Sequence, residues 1–292
     1  MPEGLIVKAL SGFYYVRCGD GITECKGSGK LRHKGHSPLV GDRVAFSVDH
    51  TGKGRIEQIL PRKNAFVRPA VANIDALICM TSDAIPVTDT YLVDRLSVTA
   101  VHNHCEVIIC VNKVDETRTD RIPEIYANTG FPVICTSAET GEGVEGLRRA
   151  AAGKICAFTG DSGVGKSSIL NALNPGFSLR VGEVSDKLGR GRHTTRHVEL
   201  FDLGAGTYLI DTPGFASFDM EAAEPVKRGD LQYDFPEFAP YLGECRFNDC
   251  AHLKEPECAV TWALEMGKIH PKRYRSYQMM YENASKYKEW EL

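Results

Sequence analysis

An α/β fold, preceded by a small β-barrel and followed by a helical segment, is what the sequence predicts. Three observations carry the prediction. Apolar strand-like runs alternate with helical patterns from Ala76 to Leu173, the rhythm of a doubly wound parallel sheet. Gly160-Asp161-Ser162-Gly163-Val164-Gly165-Lys166-Ser167-Ser168 fits G-x-x-x-x-G-K-[ST], with an apolar run before it and a helical run after it. Four or five short runs rich in aromatic and β-branched residues crowd into the first sixty positions, the density of a barrel such as an OB-fold.

In chain order, Leu5–Leu10, Gly12–Val16, Arg43–Asp49 and Arg55–Leu60 read as strands, with Gly19-Asp20-Gly21 as a hairpin turn. Lys26 to Lys34 is a basic, glycine-punctuated loop, and Pro61 to Asn73 is a connector. Ala76–Thr81, Val107–Val111, Pro132–Cys135 and Ile155–Thr159 read as buried parallel strands. Between them, Asp89–His102, Thr119–Thr129 and Val144–Ala152 carry helical spacing. Ile169–Leu173 continues the helix begun at the glycine loop and stops near Asn174-Pro175-Gly176. Asp186–Arg196 is a glycine- and arginine-rich loop, and the strands Val198–Leu203 and Thr207–Ile210 follow it. The last stretch is helical, tyrosine-rich and basic.

Of the 292 residues, 42% are hydrophobic and 25% charged, the balance of a globular chain with a sizeable core. Apolar runs are only strand-length, so no membrane span is expected. The N-terminus has neither a basic lead nor an apolar signal core, and a cytoplasmic protein is expected. Seven of the ten cysteines are scattered, several within apolar runs, where they pack as small hydrophobes with free thiols. The net charge of −3 hides an asymmetry. Residues 1–68 hold 12 Lys+Arg against 6 Asp+Glu, a net +6 that leaves −9 for the rest. A basic barrel on an acidic body points towards nucleic acid. Candidate contacts are Lys26, Lys30, Arg32 and Lys34, with Lys272, Arg273 and Arg275 near the C-terminus.

The chemistry lies at strand ends, where ligands bind in such sheets. Glycines 160, 163 and 165 let the backbone turn its N–H groups towards phosphate, Lys166 reaches the β- and γ-phosphates, and Ser167 suits Mg²⁺. Asn112-Lys113-Val114-Asp115 is N-K-x-D, in which Asp115 accepts from the two donors on a guanine edge. Thr136-Ser137-Ala138 fits the loop that backs the same base. Asp211-Thr212-Pro213-Gly214 is D-x-x-G, with Asp211 towards Mg²⁺ and the Gly214 N–H towards the γ-phosphate. Thr194 or Thr195 would supply a further hydroxyl to Mg²⁺, and Thr195 is the preferred candidate. GTPases usually run phosphate loop, D-x-x-G, N-K-x-D. Here N-K-x-D comes first, so the domain is circularly permuted. The permuted site can still assemble, because termini commonly lie close together.

Cys245-x₄-Cys250-x-His252-x₅-Cys258 offers three thiolates and an imidazole, the donor set of a closed, structural zinc site. Buried free cysteines beside a surface histidine are the alternative. The permuted motif order, the basic barrel and this cysteine segment together resemble the bacterial ribosome small-subunit-dependent GTPase A family. Gly191-Arg192-His193-Thr194-Thr195, Phe235-Pro236-Glu237-Phe238 and Arg273-Tyr274-Arg275-Ser276-Tyr277 match it as well, so the resemblance spans nearly the whole chain. It implies an OB-fold RNA-binding domain over 1–66, a circularly permuted GTPase domain over 67–222 and a helical zinc-binding domain over 223–292. It also implies a role in late maturation of the small ribosomal subunit. Glu116 departs from the leucine frequent in the family, and RNA contacts from a long basic N-terminal arm are not expected.

The expected activity is hydrolysis of GTP to GDP and phosphate by a monomer, stimulated by the small subunit and its rRNA and coupled to release, without a membrane partner. An RNA-binding assembly factor that uses nucleotide only as a latch is the alternative; a small-metabolite kinase leaves N-K-x-D and the barrel unexplained. Where a glutamine commonly follows D-x-x-G, this chain has Phe215, which can neither donate nor accept. His193 is therefore the candidate for orienting the attacking water, with Lys166 on the phosphates. Arg190, Arg192 and Arg196 suit either transition-state charge or RNA.

Overall fold

The computed structural model describes residues 1–29, 37–67, 69–174, 176, 198–211 and 226–284. The first five strands are β1 (Glu3–Leu10), β2 (Phe13–Cys18), β3 (Gly21–Gly27), β4 (Arg43–Val48) and β5 (Gly54–Ile59). They pair in the order β1-β2-β3-β5-β4, and β4 closes back onto β1. β3 and β5 run parallel and the other pairs antiparallel. Alternation turns Ile6, Val16, Val44, Phe46 and Ile56 inward to fill the barrel.

The stretch read from sequence as a plain connector contains a small ribbon, β6 (Ala65–Phe66) against β7 (Val71–Ala72). Asn64 anchors it. Its amide donates to the carbonyls of Ile74 at 2.8 Å and Asn103 at 3.0 Å, and its oxygen accepts from Ile74 N–H at 2.9 Å.

The α/β body follows with β8 (Ala76–Ser82), α1 (Thr90–His102), β9 (Glu106–Asn112), α2 (Arg121–Tyr126), β10 (Val133–Cys135) and α3 (Val144–Ala151). Then come β11 (Ile155–Thr159), α4 (Lys166–Leu173), β12 (Val198–Gly204) and β13 (Thr207–Asp211). Asp89 caps α1 by accepting the Tyr91 N–H at 3.0 Å. α2 is shorter than its helical pattern suggests, because the Thr129 hydroxyl donates to the Tyr126 carbonyl at 2.7 Å and ends it early. Strands β10, β9, β8, β11 and β13 are neighbours in that order and all parallel. Alternate residues of β8 and β9 feed opposite faces. Leu77, Cys79, Val107 and Ile109 pack against α1 and α2, whereas Ala76, Ile78, Met80 and Ile108 pack against α3 and α4. Both faces are thus covered, as a parallel sheet requires.

β12 is the exception to the parallel pairing of the body. It runs antiparallel to β13, because only Ala205 and Gly206 separate the two strands and a parallel crossover needs a dozen or more residues. Both linking residues have positive φ, 50° and 74°, the geometry of a tight hairpin. The outer edge of β12 then pairs with β1, joining barrel and body in one eleven-stranded sheet.

The C-terminal part holds two short 3₁₀ turns (Leu231–Asp234 and Pro236–Tyr241), α5 (Ala259–Glu265) and α6 (Pro271–Ala284). Its core is aromatic. Phe235 stacks on Phe238 at 5.2 Å, and Tyr277 meets both rings edge-on. Val98 of α1 joins this cluster and so ties it to the body.

Candidate functional site

The register of the parallel strands brings the motifs together. Thr159 of β11 lies opposite Cys79 of β8, Ser82 of β8 opposite Asn112 of β9, and Val111 opposite Cys135 of β10. The loops that leave β9, β10 and β11 therefore emerge side by side at the carboxyl end of the sheet. They carry N-K-x-D, T-S-A and the glycine loop.

Asn112 joins all three. Its amide donates to the Val164 carbonyl in the phosphate loop at 2.9 Å. Its oxygen accepts from the Thr136 hydroxyl and the Ala138 N–H, both at 3.3 Å. Asn112 is buried at the end of β9, so the bonds are shielded from water. The contact also explains one glycine. A Cβ on Gly165 would lie 2.2 Å from the Asn112 amide nitrogen, and the backbone there is left-handed, at φ 94°. Gly160 is constrained in the same way by the Met80 carbonyl.

Val164 is buried, Asp161, Gly165, Ser167 and Ser168 are half-buried, and Ser162 and Gly163 are exposed at the mouth. Lys166 opens α4 and folds back across the loop, donating to the Gly160 and Asp161 carbonyls, each at 2.6 Å. Burial pushes its ammonium below the ordinary lysine range, opposed by Asp161. A cation, a helix N-terminus and a curled glycine backbone thus converge where a polyphosphate would sit.

Lys113 sits in left-handed backbone at φ 64°. Its ammonium donates to the Ile85 carbonyl at 2.9 Å and pairs with Glu116 at 3.5 Å. Asp115 follows in an exposed turn, whereas Thr136 and Ser137 are fully buried behind it. The Ser137 hydroxyl accepts the Thr140 N–H at 3.1 Å, which fixes the backing loop. Sequence reading missed the part played by Ile85-Pro86 after β8, since no motif marks a segment that acts through a backbone carbonyl. Asp211 ends β13, the strand beside β11, and its side chain lies outside the described residues. So do Arg190, Arg192, His193, Thr194, Thr195, Arg196, Gly214 and Phe215.

A second cluster lies in the C-terminal part. One donor atom each from Cys245, Cys250, His252 and Cys258 lies within 4.8 Å of the others. The Cys245 and Cys258 sulfurs are 3.8 Å apart, and His252 Nδ1 is 3.5 Å and 3.4 Å from them. Zinc–sulfur bonds of about 2.3 Å in a tetrahedron place sulfurs about 3.8 Å apart, so the donor set fits zinc. His252 Nε2, turned away from the thiols, meets the Gln232 amide oxygen at 2.8 Å, which orients the ring. The Glu255 carboxylate accepts the N–H groups of Ala251, Leu253 and Lys254, and Tyr274 and Tyr277 donate to the His252 and Ala251 carbonyls. Gln232 lies twenty residues from His252 with no spacing to mark it.

The basic candidates divide. Lys26 is exposed on β3 with its ammonium 4.9 Å from the Phe13 ring centroid. Both residues line a cleft of about 440 Å³ with Lys53 and Arg55. Lys272 and Arg275 are exposed on α6. Lys30, Arg32 and Lys34 lie outside the described residues. Arg273 is corrected: it is fully buried and cannot contact RNA from there. Its guanidinium pairs with Asp94 of α1 and with Glu237, each at 2.7 Å, and also donates to the Ser97 hydroxyl. Helical spacing turns Arg273 inward, while Lys272 and Arg275 face outward.

Residues 59–221, more than half of the chain, match the RsgA GTPase family. The chain belongs to that family. Residues 3–56 match the RsgA N-terminal domain. The small ribosomal subunit biogenesis GTPase RsgA of Bacillus anthracis is 43% identical over 97% of both chains. Its counterpart from Caldanaerobacter subterraneus is 42% identical over 94% of this chain and 93% of its own. Among solved structures, YjeQ from Thermotoga maritima superposes with a TM-score of 0.85 at 37% identity, covering 98% of this chain and 99% of its own. YloQ, a circularly permuted GTPase, gives 0.82 at 34% identity, covering 99% and 96%. As an RsgA GTPase the chain is a GTP hydrolase with the permuted strand order described above. No helix among the described residues is long and apolar enough to cross a membrane.

Proposed function

We propose that the chain hydrolyses GTP to GDP and phosphate on the small ribosomal subunit late in its maturation, that the subunit stimulates hydrolysis, and that hydrolysis is coupled to release. The observation that carries the reading is the position of Asn112, whose amide links the phosphate loop to the loop behind the base. Binding of the base is thereby coupled mechanically to the phosphate cradle. The names of the relatives supply the ribosomal setting.

In this reading the backbone from Gly160 to Gly165 holds the β-phosphate. Lys166 leaves its two carbonyl partners for the β- and γ-oxygens, and Asp115 selects guanine by pairing with N1–H and the 2-amino group. Ser167, with Thr195 and Asp211, would hold magnesium, which supplies charge neutralisation on the phosphates. His193 orients the attacking water. Cys245, Cys250, His252 and Cys258 hold one structural zinc. Lys26, Lys272 and Arg275, with Lys30, Arg32 and Lys34, contact rRNA phosphates. The deciding measurement is GDP release by the purified protein with and without small subunits. Strong stimulation is expected, and equal rates would overturn the reading.

A further inference from the structure

The barrel and the GTPase body meet through β1 and β12, and the junction is short. Lys8 lies opposite Glu199, and Ala9 opposite Val198. On its other edge, β12 places the same Glu199 opposite Asp211 of β13. Lys8, Glu199 and Asp211 therefore form one row across three strands, from the barrel to the aspartate of D-x-x-G. Only Arg196 and His197 stand between the Mg²⁺-ligand candidate Thr195 and the start of β12.

Across the β1–β12 pair the Lys8 ammonium meets a Glu199 oxygen at 2.7 Å. Both side chains are about 30% exposed, at 29% and 32%. A pair this open adds little to static stability. Its position gives it more leverage than its strength, because β1 is also hydrogen-bonded within the barrel to β2 and β4. A load on the barrel is therefore delivered through β1 to the strand that faces Asp211. Three residues further along β12 from Glu199, Arg17 of β2 pairs with Asp202, a second cross-link between the same two bodies.

We infer that Lys8 and Glu199 are positioning residues that transmit subunit engagement by the barrel to the Asp211 row and so set the rate of stimulated hydrolysis. The inference rests on the proposed subunit-stimulated GTPase activity. Coupling between sites is commonly worth about 5- to 150-fold in an equilibrium affinity, and the stimulated rate is expected to change by a factor of similar order.

The test measures GTP hydrolysis by the full chain against small-subunit concentration. It compares wild type, Lys8→Met, Glu199→Gln and the charge-swapped double variant Lys8→Glu/Glu199→Lys. Each single variant is expected to lower the maximal stimulated rate about fivefold or more. The subunit concentration for half-maximal stimulation should stay within about twofold, and the swap should restore most of the rate. Single variants with the wild-type maximal rate would overturn the inference. So would a loss confined to the half-maximal concentration, which would make Lys8 an ordinary RNA contact. A swap no better than the single variants would overturn it too. A wild-type chain that subunits do not stimulate would remove the functional reading itself, a result distinguishable from all of these.

Discussion

The Arg273 guanidinium donates to the Asp94 carboxylate at 2.7 Å, and neither side chain is exposed to solvent. Asp94 belongs to the GTPase body and Arg273 to the C-terminal helix α6, so the bond fastens one to the other. Glu237 takes the other edge of the guanidinium, and the Phe235 ring lies 4.6 Å beneath it. Burial works against the charge, and Glu237 and Asp94 more than offset that by raising the guanidinium above its ordinary value.

Removing one member of such a network leaves the others buried and uncompensated. Arg273→Met is expected to cost about 3–5 kcal/mol in urea unfolding. Arg273→Lys should recover only part of it, since a single ammonium cannot span both carboxylates in the same fork. Lys272→Met, on the exposed face of the same helix, should change stability by less than about 0.5 kcal/mol.

Gly165→Ala should lose nucleotide affinity. Left-handed backbone costs a residue with a Cβ about 1–2 kcal/mol; the loop relieves that strain by relaxing out of the phosphate-binding geometry, and restoring that geometry on binding costs about tenfold in Kd. The Cβ would also displace the Asn112 amide, 2.2 Å away, and uncouple the phosphate loop from T-S-A. Gly130→Ala is the control, with φ 76° and nothing within 4 Å of the new Cβ. It should keep wild-type GTP affinity. Fluorescent nucleotide titration reads both.

Asp115→Asn should exchange the base preferred. Xanthine carries a carbonyl where guanine carries the 2-amino donor, so the amide regains a partner with xanthosine triphosphate. GTP affinity is expected to fall at least about a hundredfold, because a base donor is left unpaired. Undiminished GTP binding by the variant would remove Asp115 from base reading.

Metal analysis of freshly purified protein should find one zinc per chain. Structural zinc is worth on the order of 10 kcal/mol of apparent binding free energy at neutral pH. Chelation, or Cys250→Ala, should therefore raise amide exchange around Tyr274 and Tyr277, whose hydroxyls hold the metal loop. Nucleotide affinity should stay near wild type, since the phosphate loop draws on other strands.

The strands and loops that make the nucleotide site were legible because their signals are local. A buried β11, glycines at forced dihedrals and Lys166 fall within the twelve consecutive positions from Ile155 to Lys166. The fate of Arg273 was not legible. Lys272-Arg273-Tyr274-Arg275 reads as a basic exposed face, and what buries its second member is Asp94, 179 residues earlier. The same limit hid Gln232 behind His252 and the pairing of β12 with the barrel. Each depends on a partner that no spacing in the chain announces. His193 and the threonines beside it remain sequence-based candidates, carried by their place before β12.

The closure of the barrel onto the end of the sheet has a consequence for self-association. An open sheet normally exposes two rows of unpaired backbone groups to which another chain can add a strand. Here one end of the eleven-stranded sheet curls back through β4 onto β1, leaving the far end as the terminal edge among the described strands. That edge is β10, only Val133, Ile134 and Cys135 long. A strand so short offers a poor template, so partly unfolded copies of this chain have little purchase for edge-to-edge growth while the barrel stays shut.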